Sequence, residues 1–392
     1  MTRPPERRVI FYSSYRPGAG LGVLQRMKKK QFIVTAAVLA ILAGLVYLQI
    51  RTWRKFDWHR FWAATQDTHA GYLIGGVVLI YADYFLRAVR WKILLKPVCE
   101  AKSSRLIAPT MIGFTGLALL GRPGEFIRPY LIARKENLKM SSQLAVWTVE
   151  RIFDMGAFGL IMAVNILWSA DTLRQLPGFA DGTKKSVGKL QITTFGWFEL
   201  SGVALLLLVA VAAFVAFWIR KNPEKASEFF RRIFGLLSPR LGDGAYHRVH
   251  AFGEGLNTVK DFKSFLQLSG ISLLIWILIG FAYMAVTHAY SIHRLSRLTL
   301  SSVLLLTAAS VMGGILQLPV VGGGSQLATI GTLRGVFNLS PEVATSCGIM
   351  LWLVTFMSVV PAGLVLAHFE RISFIKLEEE SKHEEEKALE GP

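Results

Sequence analysis

Apolar residues run on for far longer than a soluble helix requires. No Asp, Glu, Lys or Arg occurs between Lys263 and Arg294, between Arg297 and Arg334, or between Glu342 and Glu370. About 20 such residues cross a bilayer, whereas helices in soluble cores are shorter. The pattern predicts an all-α, polytopic membrane protein. Full-length transmembrane helices are predicted at 31–50, about 70–90, 143–168, 196–219, 266–290 and 343–367. Two further apolar pieces, 106–121 and 299–321, each run into a Gly-rich turn and then an amphipathic stretch. They read as the first arms of two re-entrant helical hairpins.

Charge sets the orientation. The chain of 392 residues carries a net +18, is 52% hydrophobic and only 18% charged. Basic residues in short loops hold those loops in the cytoplasm. Residues 1–30 form a basic N-terminal segment and 220–265 a basic loop, so both are expected inside. Residues 87–105 and 122–142 are also basic, yet the apolar piece 106–121 separates them. One crossing would put them on opposite sides; a hairpin entering and leaving by the cytoplasmic face satisfies both. The second hairpin, between 266–290 and 343–367, must then re-enter from outside. Both termini come out cytoplasmic, in a bacterial-type inner (plasma) membrane. The acidic tail, 370–392, reads as a solvated extension of the transmembrane domain, 31–369. No cleavable signal peptide is expected, because 31–50 is too long for a signal core. The positive charge is accounted for by topology and anionic lipid, and no basic–aromatic motif points to nucleic acid. Cys99 and Cys347 are too few for a metal or disulfide framework. The histidines lack metal spacing, and no Walker loop, nucleophile elbow or HExxH occurs. Neither a cofactor nor a catalytic residue is therefore expected.

Two stretches share one plan. In the first, Leu119-Leu120-Gly121-Arg122-Pro123-Gly124-Glu125 leads into an amphipathic segment, Asn137-Leu138 and a span. In the second, Leu318-Pro319-Val320-Val321-Gly322-Gly323-Gly324-Ser325 leads to Phe337, Asn338-Leu339 and a span. The charge-derived topology gives the halves, about 70–168 and 266–367, opposite orientations, with span 196–219 and loop 220–265 between them. Inverted repeats with interrupted helices are a transporter architecture. Pro123 and Pro319 interrupt helices, and broken backbone at membrane depth needs protein or a wet cavity around it. The helix that restarts after each turn presents free N–H groups to an anion.

Charges inside spans are costly and usually face a cavity or a partner. Glu150 and Asp154 share a helix face, and Arg151 is placed for Asp154 at a spacing of three or for a phosphate. Asp83 and Arg87 can pair at a spacing of four. Arg87 and Arg90 lie on one face beside Trp91, suited to a phosphodiester or to ordinary anchoring at the headgroups. Arg122, Glu125 and Arg128 surround the first glycine turn. They suit a zwitterionic headgroup, or equally a brace against Glu150 and Asp154. Trp53, Trp58 and Trp62 read as an interfacial belt.

At these residues the chain resembles the lysylphosphatidylglycerol synthase transmembrane-domain family of flippase-like membrane proteins, over roughly residues 31–370. The matching elements are Arg87-Ala88-Val89-Arg90-Trp91, Gly121 to Arg128, Glu150-Arg151-Ile152-Phe153-Asp154, and Pro319 to Gln326. The family typically has a Glu after the Gly-Gly loop of the last element. Gln326 stands there in this chain, without the negative charge that would meet a lysyl amine. The resemblance implies movement of a phospholipid, such as aminoacylated phosphatidylglycerol, between leaflets. Some relatives are fused to an aminoacyltransferase, but loop 220–265 is too short to hold one, so synthase activity is not expected.

Three functions remain: a lipid translocase, a membrane enzyme acting on a lipid-linked substrate with Glu150 or Asp154 as base, and a non-transporting scaffold. For the translocase the expected headgroup site comprises Arg87, Arg90, Arg122, Gly124, Glu125, Arg128, Glu150, Arg151 and Asp154 from the first half. The second half adds Pro319, Gly322, Gly323, Gly324, Ser325 and Gln326. The expected partners are the phospholipid substrate and the surrounding lipids; homo-oligomerisation is left open.

Overall fold

A computed structural model describes residues 56–180, 184–187, 190–236, 238–256, 262–315 and 323–370. The described residues from Trp58 onward fall in one compact unit. Span 31–50, Trp53, the N-terminal segment and the acidic tail beyond Glu370 lie outside the described residues. So do Pro319 and Gly322.

The described chain is helical apart from one short antiparallel ribbon, β1 (Lys184–Val187) with β2 (Leu190–Thr193). Its helices are α1 (Trp58–Gln66), α2 (Ala70–Leu95), α3 (Ser103–Leu120), α4 (Ile127–Lys135) and α5 (Met140–Trp168). There follow α6 (Ala170–Arg174), α7 (Pro177–Ala180), α8 (Thr194–Lys221), α9 (Pro223–Gly235), α10 (Pro239–Leu256) and α11 (Phe262–His288). The last are α12 (His293–Ser296), α13 (Leu300–Ile315), α14 (Gly323–Gly335), α15 (Pro341–Trp352) and α16 (Val359–Phe369).

Among the described residues six segments are long and apolar enough to cross a membrane. Five of them, Ala70–Leu95, Ser142–Trp168, Glu199–Lys221, Phe262–His288 and Pro341–Phe369, fall where the hydrophobic pattern predicts. The sixth is Ser103–Leu120. It was expected only as one arm of a hairpin, but its 18 residues make it span-like by length and composition. The final span is not one regular helix. A π-helical turn, Leu353–Met357, separates α15 from α16, and Pro361 lies just beyond it, without an N–H to donate back.

The first predicted glycine turn folds the chain back on itself, and in the second half α14 lies against α13. Gly121, at φ 73°, ends α3, a conformation that costs glycine little. A 3₁₀ turn, Arg122–Phe126, then leads into α4. The turn lies so close on α3 that a Cβ at Gly124 would strike the backbone of Gly116, and one at Gly113 would strike Arg128. In the second half a Cβ at Gly313 of α13 would strike Ala328 and Gly324 of α14. Each returning helix ends in the same way. Asn137 (φ 53°) and Asn338 (φ 51°) are the non-glycine residues with positive φ among those described, and Asn tolerates that region better than other side chains. The following amide then closes on a carbonyl of the helix just ended: Leu138 N–H donates to Ala133 at 2.8 Å and Leu339 N–H to Leu333 at 3.1 Å.

The helical body is packed inside and apolar outside. α2 and α11 lie along each other, with Gly76 admitting Val354, Val286 and the backbone of Ala282. α16 packs on α3, where Thr115 donates to the Val359 carbonyl. Of the most apolar window in each span, 44% is buried in Ser103–Leu120 but only 11% in Glu199–Lys221. The helix of the first hairpin is thus central and α8 is peripheral. Exposed Ile74, Val78, Met155, Leu207, Leu208 and Phe214 leave the outside of the spans apolar, as a hydrocarbon surround demands.

Candidate functional site

The strongest polar feature lies where α2, α4, α5 and α11 meet. On α2, Asp83, Arg87 and Arg90 repeat at spacings of four and three and so share a face. On α5, Glu150 and Asp154 do the same. Arg128 arrives on the first turn of α4 because the 3₁₀ turn and Gly113 let that backbone lie directly on α3. All six side chains are buried.

Their pairing is nearly saturated. Arg87 Nε donates to both carboxylate oxygens of Asp83, at 3.1 and 2.9 Å. Its Nη1 stands 3.9 Å from Asp154. Arg90 Nη2 donates to Glu150 at 2.6 Å and Arg90 Nη1 to Asp154 at 2.5 Å. The same Nη1 reaches Ser272 Oγ of α11 at 2.9 Å. Arg128 takes the other side of Glu150, through both its terminal nitrogens. Trp276 Nε1 donates to the Asp154 carbonyl at 3.1 Å, so α11 closes the network. Three guanidiniums thus face three carboxylates. That balance matters, because desolvating an unpaired ion costs several kcal/mol. Aromatic rings line one side. The Arg128 guanidinium lies 4.3 Å from the Trp91 ring centroid and 5.2 Å from that of Phe114, and Arg87 lies 5.1 Å from Phe114. Trp91 is itself held by Gln143 at 3.2 Å.

Two predicted residues stand apart from this saturation. Arg151 does not pair with Asp154, whose carboxylate is taken by Arg90. It lies 5.7 Å from the Trp147 ring, half-buried, and its Nε is buried without a hydrogen-bond partner. Glu125, on the 3₁₀ turn, is half-buried and makes no ion pair among the described residues. Arg90 Nε is a second buried donor with no partner. Buried donors are nearly always satisfied, so these two N–H groups mark where an acceptor would be welcome. The side chain of Arg122 lies outside the described residues.

The second hairpin is built from hydroxyls. Tyr283 donates to Ser310 at 2.9 Å, and Ser310 shares a 2.7 Å hydrogen bond with Ser325. This chain ties α11, α13 and α14 together. Gly323 opens α14 with φ 61°, Gly324 is buried on Gly313, and Gln326 is half-buried. Among the described residues no hydrogen bond or ion pair joins Gly323, Gly324, Ser325 or Gln326 to the charged network. Sequence reasoning missed Ser272, Trp276, Gln143 and Phe114. Only Trp91, next to Arg90 in the chain, carried a local signal.

No curated protein and no solved structure matches the chain. The family described as the lysylphosphatidylglycerol synthase TM region matches residues 33–363. With that match over most of its length, and with span-length apolar helices throughout, the chain is a multi-pass membrane protein belonging to the lysylphosphatidylglycerol synthase TM region family.

Proposed function

We propose that the protein moves a phospholipid between leaflets, with the headgroup passing the charged network of the first hairpin. The observation that supports this most is the balanced set of six buried charges among span-length helices, beside two buried guanidinium donors left without acceptors. Charge at that depth is retained where it serves a polar path. Arg90 and Glu150, completely buried and mutually bonded, brace the path. Arg87 and Arg128 form its wall, and Arg151 offers the phosphate an uncommitted guanidinium. Glu125 supplies a carboxylate for an amino group, so an aminoacylated phosphatidylglycerol is within the range of lipids.

Each hairpin is proposed to enter and leave by one face of the membrane, the first from the cytoplasm and the second from outside, giving an inverted repeat. The termini are placed in the cytoplasm, on the strength of the basic segments 1–30 and 220–265, and a bacterial-type inner membrane is part of the same proposal. No covalent step is assigned. The carboxylates of Glu150 and Asp154 are engaged by guanidiniums, which leaves a poor proton acceptor for the enzyme alternative.

A leaflet assay on reconstituted vesicles tests the proposal. Fluorescent phosphatidylglycerol loaded into one leaflet should become accessible in the other faster with protein than without. Rates with protein equal to those without it, for phosphatidylglycerol, for other anionic lipids and for the cationic lysyl ester of phosphatidylglycerol, would reject it.

A further inference from the structure

The basic stretch after α8 is not a loop but a helical hairpin. α9 and α10 pack closely, with the backbone of Gly242 against Arg231 and Gly235. The hairpin folds onto the end of α8, where Ile219 and Ala226 are buried together with Trp218, Phe230 and Val249 around them. Only Asn222 separates α8 from α9. If α8 crosses the membrane, the start of α9 can leave the interface by no more than a few ångströms.

α9 has one face to spare. Its inner side, Ala226 and Phe230, packs on α8. Phe229, Ile233 and Leu236, at helical spacings of four and three, are exposed, Leu236 at 89%. At 100° per residue, Lys225 and Arg232 lie along one edge of this stripe, the edge away from Ala226 and Phe230, with Glu228 beyond them 3.6 Å from Arg232, and Glu224 points to the opposite side. Lys225 and Arg232 are themselves exposed. The stripe is also continuous with the span, because Phe229 stands edge-on to Trp218, 5.5 Å between centroids. An apolar stripe with a basic edge is how a helix lies in the headgroup layer of an anionic bilayer.

We propose that the α9–α10 hairpin is a docking surface for anionic lipid, with Phe229, Ile233 and Leu236 immersed among the acyl chains and Lys225 and Arg232 on phosphates. It serves as an interfacial foot that holds the peripheral span α8 against the leaflet. This depends on α8 crossing the membrane and not on lipid transport.

The test uses the full chain reconstituted in phosphatidylcholine vesicles, with or without phosphatidylglycerol. A fluorophore is placed at Ile233→Cys or Glu224→Cys in a Cys99→Ser, Cys347→Ala background. If that background fails to fold, the labelled wild-type chain supplies the correction instead. Lipid brominated along its chains should quench the label at 233 several-fold more than that at 224, and phosphatidylglycerol should increase the difference. Lys225→Gln with Arg232→Gln should lower the preference for phosphatidylglycerol by about tenfold to thirtyfold. Equal quenching at 233 and 224 would overturn the proposal, because the stripe would then face water or protein. Quenching at 233 that ignores phosphatidylglycerol would overturn its anionic character.

Discussion

The two hairpins have a common backbone plan and opposite chemistry. Each has a glycine at positive φ, a returning helix laid on a glycine of the first arm, and an Asn-Leu stop with the asparagine at positive φ. At equal distances from Asn137 and Asn338 stand Glu125 and Gln326, Arg128 and Thr329, Glu150 and Leu351, Asp154 and Thr355. These four charges of the first half are thus answered by neutral residues in the second. Tyr283, Ser310 and Ser325 tie the second half together with neutral hydrogen bonds. The fold therefore does not need the ions. A hairpin of this shape holds with hydroxyls and leucine, which are cheaper to bury. That is the reason for reading the charged half as retained for a task.

The first way to break the comparison is to remove the hub. Glu150→Gln leaves Arg90 and Arg128 without their shared partner, and we expect a loss of about 3–5 kcal/mol, near the scale of breaking a buried pair. It should appear as a large drop in melting temperature and in yield from detergent. The quadruple variant Arg90→Leu, Arg128→Thr, Glu150→Leu, Asp154→Thr imposes neutral chemistry on the first half and leaves only the mutually paired Asp83 and Arg87. It should recover most of that stability, because replacing buried ions together with their partners by neutral groups is often neutral or favourable. A quadruple variant less stable than Glu150→Gln would mean that the ions are structural after all.

Packing comes next. Gly113→Ala and Gly313→Ala each push a Cβ into the returning helix, and each should cost about 1–3 kcal/mol by thermal unfolding. Similar losses would show that both hairpins rest on the same close approach; a loss in only one would break the likeness. At the small end, Tyr283→Phe removes one hydroxyl from the second network. It should cost about 1 kcal/mol and leave lipid movement unchanged in the leaflet assay.

Much of this fold was legible in the hydrophobic pattern, because a span has to supply about 20 apolar residues in one run. The ends of α2, α5, α8, α11 and the last span fall within a few residues of those expected. The Asp83–Arg87 pair was legible too, since one helical turn brings the two together. The path of Arg90 was not. It reaches Glu150, Asp154 and Ser272 across three helices, and no local spacing reports that. For Arg151 the spacing leaves two partners open, Asp154 or a phosphate, and a fully buried guanidinium from α2 takes the Asp154 carboxylate. The basic stretch after α8 looked like a loop when counted only for charge. Its apolar stripe at helical spacing was the signal for α9.

The central claim is that the charged half of the molecule carries the lipid. It is tested most directly by comparing two variants in the leaflet assay, each checked for folding by thermal unfolding. Arg151→Gln breaks no ion pair and should change stability by less than about 1 kcal/mol. The account predicts that this variant slows phosphatidylglycerol movement at least about tenfold, the effect of losing one charge-assisted contact, whereas Tyr283→Phe moves lipid at the wild-type rate. Wild-type rates in a well-folded Arg151→Gln protein would contradict it.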